Sequence, residues 1–371
     1  MHNIGIIGYG AFGRFLKRSW DELDDAQTLF ITKTKVETVR QMASEDGIAR
    51  YSADYRDLIA DPDVDIVVIA TPPYLHEPVA VEALRAGKSV LIEKPLAVNP
   101  AQADNIIRAA KESGRIALVD FMMRYSGIVE KLLTVCRDGL LGSLRRVVVE
   151  NYAGDEGLGR EHWFWDRSKS GGILIEHGGH FFDMIGWLAD SVPSRTVGFA
   201  SEREPGMQDK VLASVQYENG VMATFYHSFS RPSALEETTI RYVFDRGQVE
   251  ALGWIPLELR LRGIVSESEA QRLGELFRGA SVSLDRLDQT EAVSSGVAYP
   301  VSRSVDLTFV QSADKQAEYA NCVRALMADL IAAADNPEHR TRVELADGLR
   351  SLQVAFDASR SADVYPLDIP G

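Results

Sequence analysis

The sequence predicts an α/β chain of two domains, the first built on a parallel sheet and the second on strands that alternate like an antiparallel sheet with one covered face. Three observations carry this reading. Gly8, Gly10 and Gly13, in G-x-G-x-x-G spacing, stand between an apolar β-rich run and a helical run at the very N-terminus. Residues 65–95 read strand, helix, strand, a right-handed crossover unit. After Asp120 the pattern changes, and residues 145–152 and 211–217 alternate apolar with polar side chains. At 371 residues the chain is too long for one ordinary core, and we place the boundary between residues 1–120 and 121–371.

In the first stretch, Gly8 allows a tight turn, Gly10 lets the backbone approach a pyrophosphate and Gly13 lets helix and strand pack closely. The helix opening at Ala11 and Phe12 adds N–H groups and the positive end of its dipole. The next apolar run, residues 29–31, ends in Thr32-Lys33-Thr34-Lys35, where an NAD site usually carries an acid for the ribose 2′-hydroxyl. An ammonium and hydroxyls would hold a 2′-phosphate, so the expected cofactor is NADP or NAD, with NADP favoured.

A continuous buried-strand run at residues 66–70 stops at Thr71-Pro72-Pro73, a rigid lip, with His76 three residues beyond. The following helix ends at Gly87, and Val90-Leu91-Ile92 runs straight into Glu93-Lys94-Pro95. Ligands of an open parallel sheet collect beyond the carboxyl ends of its strands, which places Lys94 in the cofactor crevice. Candidate cofactor contacts are therefore Gly8, Gly10, Ala11, Phe12, Gly13, Thr32, Lys33, Thr71, Pro72, Pro73, His76, Glu93 and Lys94.

Past the boundary, residues 128–136 read as a helix, and residues 255–310 are polar and irregular, an expected insertion or oligomer contact. Between them, a helix running on from Glu176 would set Glu176, His180 and Asp183 on one face at i, i+4 and i+7. Gly178 and Gly179 are poor helix residues, which makes sense if a ligand or another backbone comes close there. His177 and His180 supply only two ligands to a metal and nothing nearby completes a tetrahedral set, so no metal is expected. Arg124, Tyr152 and Trp163 are further candidates for holding the rim and the apolar face of a sugar or cyclitol ring.

The totals exclude other classes. A net charge of −14, from 40 basic against 54 acidic residues, repels a phosphate backbone, so no nucleic-acid partner is expected. No apolar run approaches the roughly 20 residues that span a bilayer. The start leads into a strand without a basic segment or cleavage site, and Cys136 and Cys322 fit neither a disulfide framework nor a metal set. A cytoplasmic protein with reduced thiols is the expectation.

Four stretches together resemble the Gfo/Idh/MocA oxidoreductases: residues 8–13, DVDIVVIATPPYLH, ALRAGKSVLIEKPLAV and GGILIEHGGHFFD. The resemblance covers residues 1 to about 190 and, more loosely, the last 50. It implies an N-terminal Rossmann dinucleotide-binding domain, a C-terminal α/β domain with a large, mostly antiparallel open sheet, a nicotinamide cofactor and Lys94 in the active site. It also implies a homodimer or homotetramer, and a helix near residues 344–360 that packs back on the first domain. Glu176 falls where the family commonly has Asp, His180 where it has its active-site histidine, and Asp183 where it has a further Asp. The extra methylene of Glu176 moves its carboxylate by about 1.5 Å, enough to change which group it meets.

The expected reaction passes a hydride between nicotinamide and a secondary alcohol or ketone of a sugar, cyclitol or related polyol. Its expected catalytic residues are Lys94, His180 and Glu176: His180 as base, Lys94 as donor to the reacting oxygen, and Glu176 as orienter or substrate ligand. Substrate contacts are expected from Lys94, Arg124, Tyr152, Trp163, Glu176, His180 and Asp183. The alternatives are a redox-neutral glycoside hydrolase that keeps its nicotinamide, and a cofactor-sensing regulator without chemistry.

Overall fold

The computed structural model describes residues 1–312 and 314–364. They form two compact units. The first takes in Met1–Arg124, Glu161–Asp183 and Tyr319–Phe356, and the second takes in Tyr125–Arg160, Met184–Glu318 and the described residues from Asp357 onward.

The first unit opens with strands β1 (His2–Ile7), β2 (Ala26–Thr32), β3 (Arg50–Ser52), β4 (Ile66–Ile69), β5 (Ser89–Ile92) and β6 (Ala117–Val119). They pair in the order β3-β2-β1-β4-β5-β6, every pair parallel. Helices α1 (Ala11–Trp20), α2 (Val36–Asp46), α3 (Tyr55–Ala60), α4 (His76–Arg85) and α5 (Pro100–Ser113) make the crossovers. Parallel strands covered on both faces need apolar residues at every position, and Val67, Val68, Ile69, Val90, Leu91 and Ile92 are all buried. The helix ends are set locally: in α5, Asn99 caps the Gln102 N–H, Pro100 sits in the first turn and Gly114 closes the helix at φ +65°. Ile69 lies opposite Ile92, and Ile92 opposite Val119, so the residues after these strands leave the sheet at one edge.

The chain continues through α6 (Gly127–Arg137), β7 (Leu144–Ala153), the short helices α7 (Arg167–Ser170) and α8 (Ile173–Glu176), and α9 (Gly179–Ala189). Strands β8 (Pro193–Glu204), β9 (Met207–Tyr217), β10 (Met222–Phe229), β11 (Glu237–Phe244), β12 (Gly247–Leu252) and β13 (Glu258–Val265) follow. After α10 (Glu267–Leu276) come β14 (Ser281–Arg286), the hairpin β15 (Glu291–Ser294) and β16 (Val297–Pro300), and β17 (Arg303–Val310). The chain closes with α11 (Lys315–Asp335) and α12 (Leu345–Val364).

The second unit is built on a nine-stranded sheet in the order β14-β17-β13-β12-β11-β7-β10-β9-β8, with β7 and β10 parallel and the other pairs antiparallel. One face is covered: in β9 Val211, Ala213 and Val215 are buried while the residues between them are partly exposed. The register puts Phe199, Leu212, Tyr226 and Glu150 on the other face, where Phe199 is 47% exposed.

Residues 255–310 are not irregular. They form four of the strands of that sheet and hairpin, together with α10 and β13. In β13 the buried Leu259 and Leu261 alternate with exposed Arg260 and Arg262, so the charged residues are the solvent side of a strand and not a loop. Among the described residues no helix is long and apolar enough to cross a membrane.

Candidate active site

The candidate site belongs to the first unit. Gly8 turns the chain out of β1 at φ +93°, and a Cβ there would lie 2.5 Å from the Ala70 carbonyl oxygen, so both conformation and space require glycine. A Cβ on Gly13 would meet the Gly8 oxygen at 2.9 Å. Gly10 differs: it stands at the N-cap of α1 without a side-chain bond to the helix, and a Cβ there would approach only the Lys33 Nζ, at 3.8 Å. The first turn of α1 carries no acid. An open helix N-terminus, a bare backbone and an ammonium fit a dinucleotide pyrophosphate and its neighbouring sugar. Arg14, by contrast, is occupied: it pairs with Asp46 (2.6 Å) and Glu45 (2.9 Å), and Asp46 also accepts from the Tyr9 hydroxyl (2.8 Å).

Thr71, Pro72 and Pro73 form the turn after β4, as expected. His76 does not line it. Its ring is wholly buried between two backbone carbonyls, with Nδ1 2.7 Å from the Pro95 oxygen and Nε2 2.9 Å from the Thr71 oxygen. Burial lowers its pKa, and its place is that of a strut between the turns after β4 and β5.

Lys94 follows β5 and projects to the end of α8, where its Nζ donates to the Glu176 carbonyl oxygen (2.9 Å) and to Glu176 Oε1 (2.8 Å). The helix expected to run on from Glu176 is interrupted. α8 ends at Glu176 and α9 begins at Gly179, because the His177 and Gly178 N–H groups both turn back to the Ile173 oxygen. A Cβ on Gly178 would lie 2.5 Å from the Leu174 oxygen, so this glycine admits the close approach of backbone at the break. Glu176 therefore does not share a helix face with His180, and its carboxylate goes to Lys94 instead of orienting the imidazole.

His180 is buried near the start of α9. Burial, then the charge of Lys94, then His177 hold its pKa well below the ordinary value; His177 is lowered to about 3 by burial and by Lys94. The amine after β5 and the imidazole of α9 thus act on one another across 86 positions of sequence.

Arg124 and Asp183, expected at the substrate, are spent on each other. Arg124 Nη2 and Nε donate to the two Asp183 oxygens at 2.6 and 2.9 Å, and Nη2 also meets Asp347 Oδ1 at 2.9 Å. All three side chains are at most 6% exposed, and ions buried to that extent need partners of opposite sign. Asp347 comes from α12, which places that helix's first turns in the same unit. Trp163 is half-buried in a short 3-10 turn beside His162, with ring centroids 5.2 Å apart. Tyr152 belongs to the second unit, where its ring lies 5.4 Å from that of Tyr226 and 5.0 Å from the Arg231 guanidinium.

Two residues of this neighbourhood escaped the sequence reading. Asp120 follows β6 as Glu93 follows β5, and the Asp120 N–H bonds the Ile92 oxygen, so the two acids leave neighbouring strands side by side. The signal was present, since LIE and LVD are each a short apolar strand closed by an acid. Tyr319 of α11 packs on Phe15 at 4.7 Å and on Phe12 at 6.2 Å, from a position with no motif around it.

A glycine turn beneath an open helix end, on a parallel sheet with an amine at one strand end and a buried imidazole within reach of its charge, is the equipment of a nicotinamide-dependent oxidoreductase. Comparison with known proteins agrees. Residues 2–121 match the oxidoreductase family with an NAD-binding Rossmann fold, and residues 129–250 match the GFO/IDH/MocA C-terminal domain. The chain belongs to the GFO/IDH/MocA family and is an NAD(P)-dependent oxidoreductase.

It is 28% identical over 253 residues to trans-1,2-dihydrobenzene-1,2-diol dehydrogenase of Bos taurus, covering 67% of this chain and 72% of that protein. It is 27% identical over 236 residues to 1,5-anhydro-D-fructose reductase of Ensifer adhaerens, covering 62% and 70%. In fold it resembles levoglucosan dehydrogenase in complex with NADH and levoglucosan, with a TM-score of 0.78 at 19% identity, over 98% of this chain and 97% of that one.

Proposed function

We propose that this protein oxidises a secondary alcohol of a sugar, cyclitol or related polyol, or reduces the corresponding ketone, with Lys94, His180 and Glu176 as its catalytic residues. The observation that carries the reading is the Lys94 Nζ, held at the carboxyl end of the parallel sheet by Glu176 and near enough to His180 to depress its pKa. Bound nicotinamide supplies the hydride acceptor or donor. The chain's own residues handle the proton. Lys94 donates to the reacting oxygen and stabilises alkoxide character on it, and neutral His180 takes the proton as the carbonyl forms. Glu176 holds the ammonium in place. Relatives named for a cyclic diol, an anhydro sugar and levoglucosan support a ring-borne hydroxyl as the substrate class.

A screen of polyols, sugars and cyclic diols, read as reduced-cofactor absorbance with NAD and NADP in parallel, tests this. Turnover of a glycoside without net change in cofactor would replace it with hydrolysis.

A base whose pKa is depressed stays unprotonated as pH falls. On the oxidative side kcat/KM is therefore expected to show no decline near pH 6.5, the ordinary imidazole value, and to fall only at lower pH. A profile with its acid limb centred near the ordinary value removes His180 as the buried base.

For the cofactor we infer NADP in preference to NAD. Lys33 stands over the glycine turn, forms no ion pair among the described residues, and no carboxylate ends β2. Lys33→Ala is expected to raise KM for NADP by about 10- to 100-fold, the worth of a charge-assisted bond to phosphate, and to leave KM for NAD nearly unchanged. Equal changes for both cofactors would sink the assignment. We assign residues 1–120 to cofactor binding and the nine-stranded sheet to substrate recognition and self-association, as a homodimer or homotetramer in the cytoplasm. Exposed Phe199 and Met222 on that sheet support a covered face.

A further inference from the structure

β5 and β6 are neighbouring parallel strands, and Asp120 N–H donates to the Ile92 oxygen at 2.8 Å, so Glu93 and Asp120 emerge side by side. Their exposures are 9% and 1%. Asp120 Oδ1 accepts from the Met122 N–H at 3.2 Å, whereas Asp120 Oδ2 and Glu93 Oε1 are buried and receive no protein donor. Two carboxylates side by side and out of water cannot both be ionised at ordinary cost; one proton between them provides the donor that both oxygens lack. Burial first, and then the charge of Asp120, raise the affinity of Glu93 for a proton, and burial does the same for Asp120. The groups facing the pair are Lys94, Tyr319 of α11, and beyond Lys94 the carboxylate of Glu176. The phenol of Tyr319 is pushed well up by burial and then by Glu93 and Asp120, so it stays neutral.

We propose that Glu93 and Asp120 share one proton in the dinucleotide-free protein and release it when the oxidised, cationic dinucleotide binds, so that the pair ties proton uptake to the redox state of the cofactor. This rests on the function proposed above. The bookkeeping is simple: the pair goes from one negative charge to two as the ring brings one positive charge, and the proton leaves to buffer. With the neutral reduced form the proton stays. After oxidation of an alcohol, the pair regains its hold on a proton just as the substrate oxygen has shed one. Asp120 is on this view a positioning residue, acting on the charge beside Lys94 without touching substrate.

The test is calorimetric titration of the full chain with oxidised and with reduced dinucleotide, in buffers of different ionisation enthalpy at one neutral pH. The oxidised form is expected to release up to about one proton more than the reduced form, and its affinity relative to the reduced form to tighten by up to about tenfold per pH unit. The adenine and phosphate ionisations are common to both forms and cancel. Asp120→Asn is expected to abolish the difference. Infrared difference spectra of the unaltered protein give a second readout that needs no variant: a protonated-carboxyl carbonyl band should vanish on binding the oxidised form only. Binding of both forms with equal proton counts, an unchanged band, or a difference that survives in Asp120→Asn overturns the proposal while leaving the function intact. Failure to bind either form overturns both.

Discussion

Lys94→Ala is expected to lower turnover by about 100-fold or more while the protein stays folded and binds dinucleotide, the usual scale for loss of a positioned proton donor. The binding surface built from Gly8, Gly10 and the end of α1 owes nothing to this side chain, so quenching of protein fluorescence by dinucleotide should persist. The substitution removes two hydrogen bonds to Glu176 and also the positive charge that helps to depress His180. What activity remains should therefore have its acid limb displaced to higher pH. His180→Ala is expected to fall as far, and near-normal rates in either variant would take that residue out of the reaction.

Arg124→Met is expected to destabilise the protein by about 3–5 kcal/mol, read as a drop in the urea midpoint, because it leaves the buried carboxyl of Asp183 without its cation and leaves Asp347 with Arg350 alone. The guanidinium bonds both oxygens of Asp183 and reaches Asp347, and none of the three is more than 6% exposed on the side chain. Methionine keeps most of the volume, so the loss reports uncompensated charge more than a cavity. Adding Asp183→Asn to the same chain should return part of it. A change of under about 1 kcal/mol in Arg124→Met would mean that water reaches these groups and that the network behaves as a surface pair.

The parallel sheet was legible because its strands are covered on both faces and must be apolar throughout, and because glycine and proline mark their ends: Gly8, Pro72 and Pro95 each stand where a strand or turn stops. Lys94 could be placed for the same reason, since the carboxyl end of a strand is a position that sequence order fixes. The partner of a side chain is different. Glu176, His180 and Asp183 have helical spacing, yet two backbone bonds to the Ile173 oxygen break the helix between the first and the others, and nothing in the spacing shows it. Arg124 and Asp183 read as polar residues near a site, and only the burial of both, with Asp347 arriving from residue 347, turns them into a core ion pair. The strands of residues 255–310 were missed because their charged residues are every second one, and composition weighs them without regard to the side they face.

The first unit draws on three separated stretches, the last of them Tyr319–Phe356. A ribosome that has made only the glycine turn and the six parallel strands has thus not yet made the acid that completes the cage around Arg124, nor the aromatic ring that packs on Phe12 and Phe15. This half is completed only after α11 and the first turns of α12 have been made, and every strand of the second unit's sheet is translated in between.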